Sequence, residues 1–254
     1  MLKNKAFFVA NFKMYKTFKE TVAWGKKHSS ALAELAQEAK IVICPTFPAL
    51  YELGIDLESC GVKIGAQTCA WREQGSLTGE VSVTSLKELG CSYCIVGHSE
   101  RRRFCGETNE QIAQILPLLL GAEITPILCV GETSQGMSWI EQRPVLEQVL
   151  TDQLSVLTEL KQSNYRTICI AYEPVWAIGT QQVPTVEHIQ GAFACIRHFC
   201  GVYLADYTVH MLYGGSVDSV NAPSLWQVQG LEGFLVGGAS VDFQSFQKIV
   251  QSHR

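Results

Sequence analysis

Eight short runs rich in Val, Ile, Phe and Cys recur along the whole chain, each followed by a stretch of helical periodicity. The runs are 6–10, 40–44, 62–66, 92–97, 124–129, 167–172, 208–213 and 233–236. The helical stretches are 18–36, 47–55, 82–89, 108–120, 138–162, 185–203, 217–226 and 242–252. None of the runs alternates cleanly between apolar and polar residues, so each strand is expected to be covered on both faces, as in a parallel sheet. Eight such units in 254 residues predict an α/β fold, a (β/α)8 barrel of eight parallel strands with outer helices, with 1–254 as a single domain. A doubly wound open sheet is the alternative. It usually carries a Gly-rich turn after its first strand, and here that strand runs into "NFKMYKT".

Bulk properties narrow the function. Hydrophobic residues make up 47% and charged residues 17%, which fits a globular chain and not a disordered one. The net charge of −4 comes without a basic face, so no nucleic-acid partner is expected. No apolar run approaches the roughly 20 residues of a membrane span. The apolar stretch of "MLKNKAFFVA" is too short for an export signal, so a cytoplasmic location is expected. Of ten cysteines, Cys44, Cys94, Cys129 and Cys169 fall in strand-like runs and read as reduced core residues. Cys91 and Cys94 have a zinc-knuckle spacing but lack a second ligand pair, and no metal is expected.

In a barrel of this kind the chemistry sits where strands end and βα loops begin. Asn11 and Lys13 follow the first strand, His98, Ser99 and Glu100 the fourth, Gly131 and Glu132 the fifth. Glu173 and "PVWAIGT" follow the sixth, "GGS" (214–216) the seventh and "GGAS" (237–240) the eighth. The Gly-rich turns after strands seven and eight occupy the usual phosphate position, where backbone N–H groups can approach an anion closely. Glu173 is the candidate base: beside apolar Ile170, Val175 and Trp176 it is expected to be partly dry and therefore more basic. His98 suits a hydrogen-bond donor or acid, and Lys13 a stabiliser of developing negative charge. Each has a plainer reading as well: a strand-end glutamate in a salt bridge, an ordinary loop histidine, a solvated lysine.

"ANFKM", "VGHSERR", "CVGE", "AYEPVWAIGT", "YGGSV" and "GFLVGGAS" lie in order along nearly the whole chain, and together they resemble the triosephosphate isomerase family. The resemblance implies interconversion of dihydroxyacetone phosphate and D-glyceraldehyde 3-phosphate through an enediolate, without a cofactor, in glycolysis and gluconeogenesis. It implies that Glu173 moves the proton between neighbouring carbons while neutral His98 donates to the substrate oxygens, a pairing of which this family is the general illustration. Lys13, with Asn11 beside it, would face the developing charge, and Glu100 would hold Lys13. Gly179, Ser216, Gly237 and Gly238 would offer N–H groups to the phosphate. Ser99, Cys129 and Tyr213 would support the site. Pro174 would stiffen the hinge of a lid, "VWAIG", whose closure is again a general illustration taken from this family.

The resemblance also implies a homodimer. Loop 67–82 is long for a βα connection and carries Trp71 and Leu77. Through "SLTGEVS" it would dock beside the neighbouring subunit's rim, with Thr78 reaching that subunit's Asn11 and Glu100, and Met14 and Tyr15 lining the receiving pocket. Departures from the family pattern are Phe12, Tyr15, Thr68, Cys105 and Glu232, the last with an expected effect on an ion pair with Arg102. Two other function classes remain in view at this level. One is an aldolase-like barrel using Lys13 as a Schiff-base nucleophile, which borohydride trapping would mark. The other is a non-catalytic phosphometabolite binder, which should have lost one of Lys13, His98 or Glu173.

Overall fold

The computed structural model describes residues 5–134, 139–158, 160, 164–180 and 183–253. Eight parallel strands close on one another in chain order: β1 (Ala6–Asn11), β2 (Ala39–Cys44), β3 (Lys63–Ala66), β4 (Tyr93–Val96), β5 (Thr125–Val130), β6 (Thr167–Tyr172), β7 (Thr208–Tyr213) and β8 (Gly233–Val236). β8 returns to β1 with Phe7 opposite Gly233 and Ala10 opposite Val236. The sheet is therefore a closed barrel and not the open, doubly wound alternative.

The barrel has two apolar layers because strand side chains alternate with period two. Phe7 and Val9, Val42 and Cys44, Ile127 and Cys129, Cys169 and Ala171 pack together inside. Their neighbours Phe8, Ile41, Ile43, Leu128, Ile168, Ile170 and Tyr172 pack outward with the helices. Both faces are covered, which is why the strands read as continuous apolar runs. The same parity carries past the strand ends: Asn11 continues 7 and 9, and Glu173 continues 169 and 171. Both therefore arrive at the mouth of the barrel interior.

Among the described residues the long helices are α1 (Phe18–Glu38), α2 (Leu50–Leu57), α5 (Asn109–Gly121), α6 (Trp139–Leu154), α7 (Val186–Tyr203) and α9 (Phe243–Gln251), with short α3 (Val83–Glu88), α4 (Ser99–Phe104) and α8 (Ala222–Leu225) between them. Their starts follow local chemistry. Thr17 with Glu20 and Thr108 with Gln111 form capping boxes on α1 and α5, satisfying N–H groups that have no partner within the helix. Two expectations shift. The stretch 217–226 is helical only over Ala222–Leu225, because Asp218 turns the chain by accepting the N–H groups of Val220 and Asn221. The stretch 138–162 ends as helix at Leu154 and continues as a 3-10 turn over Ser155–Leu157, while 138, 159 and 161–163 lie outside the described residues.

All ten cysteines are free thiols. Burial pushes Cys91 up to about 12 and raises Cys94 well above its ordinary value, so neither behaves as a ready thiolate. Glu232 does not meet Arg102. It is bound to His210 Nδ1 at 2.7 Å and accepts the Met211 N–H at the start of β8, the end of the barrel away from the loops that carry Arg102.

Candidate active site

A cleft of about 700 Å³ opens at the C-terminal ends of the strands. Its walls bring together Asn11, Lys13, His98, Ser99, Glu100, Glu173, Gly179, Ser216, Gly237 and Gly238 from loops after β1, β4, β6, β7 and β8.

Glu173 is 2% exposed. Its N–H donates to the Val130 carbonyl at 2.7 Å. Gly131 lets β5 and β6 come this close, since a Cβ there would overlap the Glu173 carbonyl oxygen. One carboxylate oxygen accepts the Ser99 N–H at 3.1 Å, and the other lies 3.2 Å from His98 Nε2. The immediate surroundings differ from the apolar neighbours read from the sequence. Ile170 has the outward parity and packs with the helices, and the Trp176 indole turns to Glu132. The carboxylate is dry through its depth in the barrel mouth, and Val175 lines the same cleft.

His98 caps α4, and its Nδ1 accepts the Glu100 N–H at 3.2 Å. The Glu100 carboxylate is 3.7 Å from the same nitrogen, beyond hydrogen-bond reach. A nitrogen that accepts from an amide carries no proton, so the ring proton sits on Nε2, facing Glu173 and the cleft. Lys13 Nζ is 2.7 Å from Glu100 Oε1. Lys13 has φ 46°, a left-handed conformation uncommon outside glycine. The Asn11 side chain accepts its N–H at 3.0 Å, and Gln67 donates to its carbonyl at 2.8 Å. Gln67 has no role in the sequence reading, and nothing local marks it.

Cys129 lies beneath Glu173. Burial first, and the Glu173 charge second, raise its thiol well above the ordinary range. Tyr213 is fully buried and its hydroxyl has no hydrogen-bond partner among the described residues. Burial raises its pKa above the phenol's ordinary value. Ser216 meets the lid through its hydroxyl, 2.8 Å from the Ala177 carbonyl and 3.3 Å from that of Thr180. Gly179 is exposed at φ 70°. Gly237 leaves room for the Lys13 stem, whose Cε would stand 3.1 Å from a Cβ at that position, and Gly238 begins the 3-10 turn Gly238–Ser240.

Glu132 reads from the sequence as a rim residue without a role. It is fully buried and holds the root of the lid. Its carboxylate accepts from Trp176 Nε1 at 2.7 Å and from the Tyr172 hydroxyl at 3.0 Å, with His188 Nε2 at 3.1 Å, and its carbonyl accepts the Val175 N–H at 2.9 Å. Its position after "CVG" was the one available signal.

A closed parallel barrel with a carboxylate, an imidazole and an ammonium group converging on one cleft defines a barrel enzyme equipped to move protons on a small anionic substrate. A family model described as triosephosphate isomerase matches residues 6–253. The triosephosphate isomerase of Dictyoglomus turgidum is 41% identical over 248 residues, covering 96% of this chain and 97% of that protein. That of Endomicrobium trichonymphae is 38% identical over 252 residues, with 97% and 98% covered, and that of Aquifex aeolicus 39% over 249 residues, with 96% and 97% covered. This chain belongs to the triosephosphate isomerase family and is an isomerase.

Proposed function

We propose a division of labour for this family's reaction, the cofactor-independent interconversion of dihydroxyacetone phosphate and D-glyceraldehyde 3-phosphate in glycolysis and gluconeogenesis. Glu173 removes a proton from the carbon beside the carbonyl and returns it to the neighbouring carbon. His98 donates through Nε2–H to the two substrate oxygens in turn as the enediolate forms and collapses. Lys13, oriented by Asn11 and Glu100, faces the negative charge that grows in the transition state, where a fixed cation is most effective. The N–H groups of Gly179, Ser216, Gly237 and Gly238 receive the phosphate. Residues 175–180 close over it, exclude water and protect the enediolate from losing phosphate. The whole of 1–254 acts as one catalytic domain.

The observation that carries this reading is the 3.2 Å approach of Glu173 Oε1 to His98 Nε2: base and donor converge on one point of the cleft, within reach of a single small substrate. Lys13 is committed to Glu100 as an ammonium ion at 2.7 Å, which favours its electrostatic role over Schiff-base chemistry. Turnover of dihydroxyacetone phosphate in D2O tests the mechanism. Product carrying deuterium on the carbon beside the aldehyde is expected. Deuterium-free product together with unimpaired turnover by Glu173→Gln would mean direct hydride migration and would remove Glu173 as base.

The same reading makes the protein a cytoplasmic homodimer. Loop 67–82 projects from a base closed by the Ala70 N–H to Val81 carbonyl bond, with 72–76 and 78–80 exposed. Met14, Tyr15 and Phe104 are 91%, 64% and 71% exposed, large apolar side chains that favour a covered position. Ten unpaired thiols suit a reducing compartment. No helix among the described residues is long and apolar enough to cross a membrane.

A further inference from the structure

The Gly97 backbone is held on both sides of its Cα. Its N–H donates to Oε2 of buried Glu107 at 2.8 Å, and its carbonyl accepts from Nε of Arg102 at 2.8 Å. Each gripping side chain is itself braced. The other oxygen of Glu107 accepts from Arg101 Nε at 3.1 Å and lies 3.4 Å from the Thr68 hydroxyl. Arg102 Nη1 donates to Asn109 Oδ1 at 2.7 Å, and Asn109 donates onward to the carbonyl and carboxylate of Asp152. Gly97 itself has φ 69°, and a Cβ there would stand 2.8 Å from Arg102 Nη2 and 2.9 Å from Ile112 Cδ1. Only glycine meets both demands.

Two charged side chains thus hold the peptides on either side of Gly97, and the next two residues give the reason. The His98 ring and the Ser99 N–H both touch the Glu173 carboxylate. Both hang from the turn that Gly97 begins. We propose that Glu107 and Arg102 are positioning residues, a two-sided clamp on the Gly97 backbone that sets His98 and Ser99 against Glu173. The proposal rests on the roles given above to Glu173 and His98. Neither clamp residue lines the substrate cleft, so both act through the turn. Arg102 adds a charge behind it. Burial lowers its guanidinium below the ordinary value, opposed by the Cys129 thiol and by the carboxylates of Glu107, Glu173 and Asp152 that face it. A lysine in its place would keep a cation but lose the planar fork that spans Gly97 and Asn109.

The test compares Arg102→Lys, Glu107→Ala and Glu107→Gln with Glu173→Gln, each as full-length protein in the isomerase assay. Arg102→Lys and Glu107→Ala should lower kcat about 10- to 100-fold, the usual scale for a misplaced catalytic group, with KM and phosphoglycolate inhibition changed less than about threefold. The phosphate groups lie on other loops and are left in place. Glu107→Gln, whose amide oxygen can still accept from Gly97, should recover most of kcat. In the unaltered protein the Gly97 amide should exchange with D2O as slowly as amides of the barrel strands, a readout that needs no variant to fold. A kcat per folded molecule within about twofold of the unaltered protein in Arg102→Lys and Glu107→Ala, beside an inactive Glu173→Gln, overturns the clamp alone. Loop-like exchange of the Gly97 amide does the same. An active Glu173→Gln overturns the underlying roles, and the clamp's purpose with them.

Discussion

The indole N–H of Trp176 donates to Oε1 of Glu132 at 2.7 Å, tying the lid to a fully buried carboxylate on a different loop. Trp176→Phe keeps the ring's bulk and removes the donor, taking one hydrogen bond from an oxygen that Tyr172 and His188 still reach, at a cost of roughly 0.5–1.5 kcal/mol. Limited proteolysis should then cut residues 175–180 faster than in the unaltered protein, and kcat should fall. Saturating phosphoglycolate should slow the cut in both. Equal cleavage with and without ligand would mean that the lid does not respond to the phosphate.

Glu173→Gln should still bind phosphoglycolate and lose most activity, since general-base catalysis alone contributes roughly 10²–10⁴-fold. Glu173→Asp should also fall, because one methylene less withdraws the carboxylate from the proton. Steady-state kinetics with a binding titration checks both. Retention of more than about half of kcat by the Gln variant, far above that range, would exclude Glu173 as the base.

Lys13→Met removes the cation while keeping much of the side chain's bulk. Both substrate affinity and kcat should drop, because one ammonium group serves an anionic substrate and a more anionic transition state. A rise in KM with kcat intact would make Lys13 an anchor for the phosphate and nothing more.

Replacing 72–77 with a short Gly-rich turn should give monomers whose barrel is folded by circular dichroism but whose activity is severely reduced. The loop base at Ala70 and Val81 stays outside the replaced segment, so the barrel has no reason to unfold. Sedimentation beside the isomerase assay decides it. Unaltered protein sedimenting as a fully active monomer would contradict the dimer.

Local pattern determined much of this protein. Strand runs read from the sequence at 167–172, 208–213 and 233–236 are the observed β6, β7 and β8, because burial on both faces of a parallel strand leaves an apolar run that needs no long-range information to recognise. The rim residues were also legible, since each lies within a few positions of a strand end, and period-two alternation alone aims Asn11 and Glu173 inward. α4 carries no periodic mark, being too short to show any, while the periodic stretch at 217–226 overstates α8. What only closure of the barrel decided is which rim residue meets which. Glu132 reads as another rim carboxylate, yet it secures Trp176, Tyr172 and His188. Glu232 reads as a partner for Arg102, yet it pairs with His210 across the β7–β8 boundary. Nothing local in the sequence joins Arg102 and Glu107 to His98, yet they close on the Gly97 backbone just before it. Side-chain partners between separate loops depend on distances of a few ångströms, and those distances exist only once β8 has paired with β1.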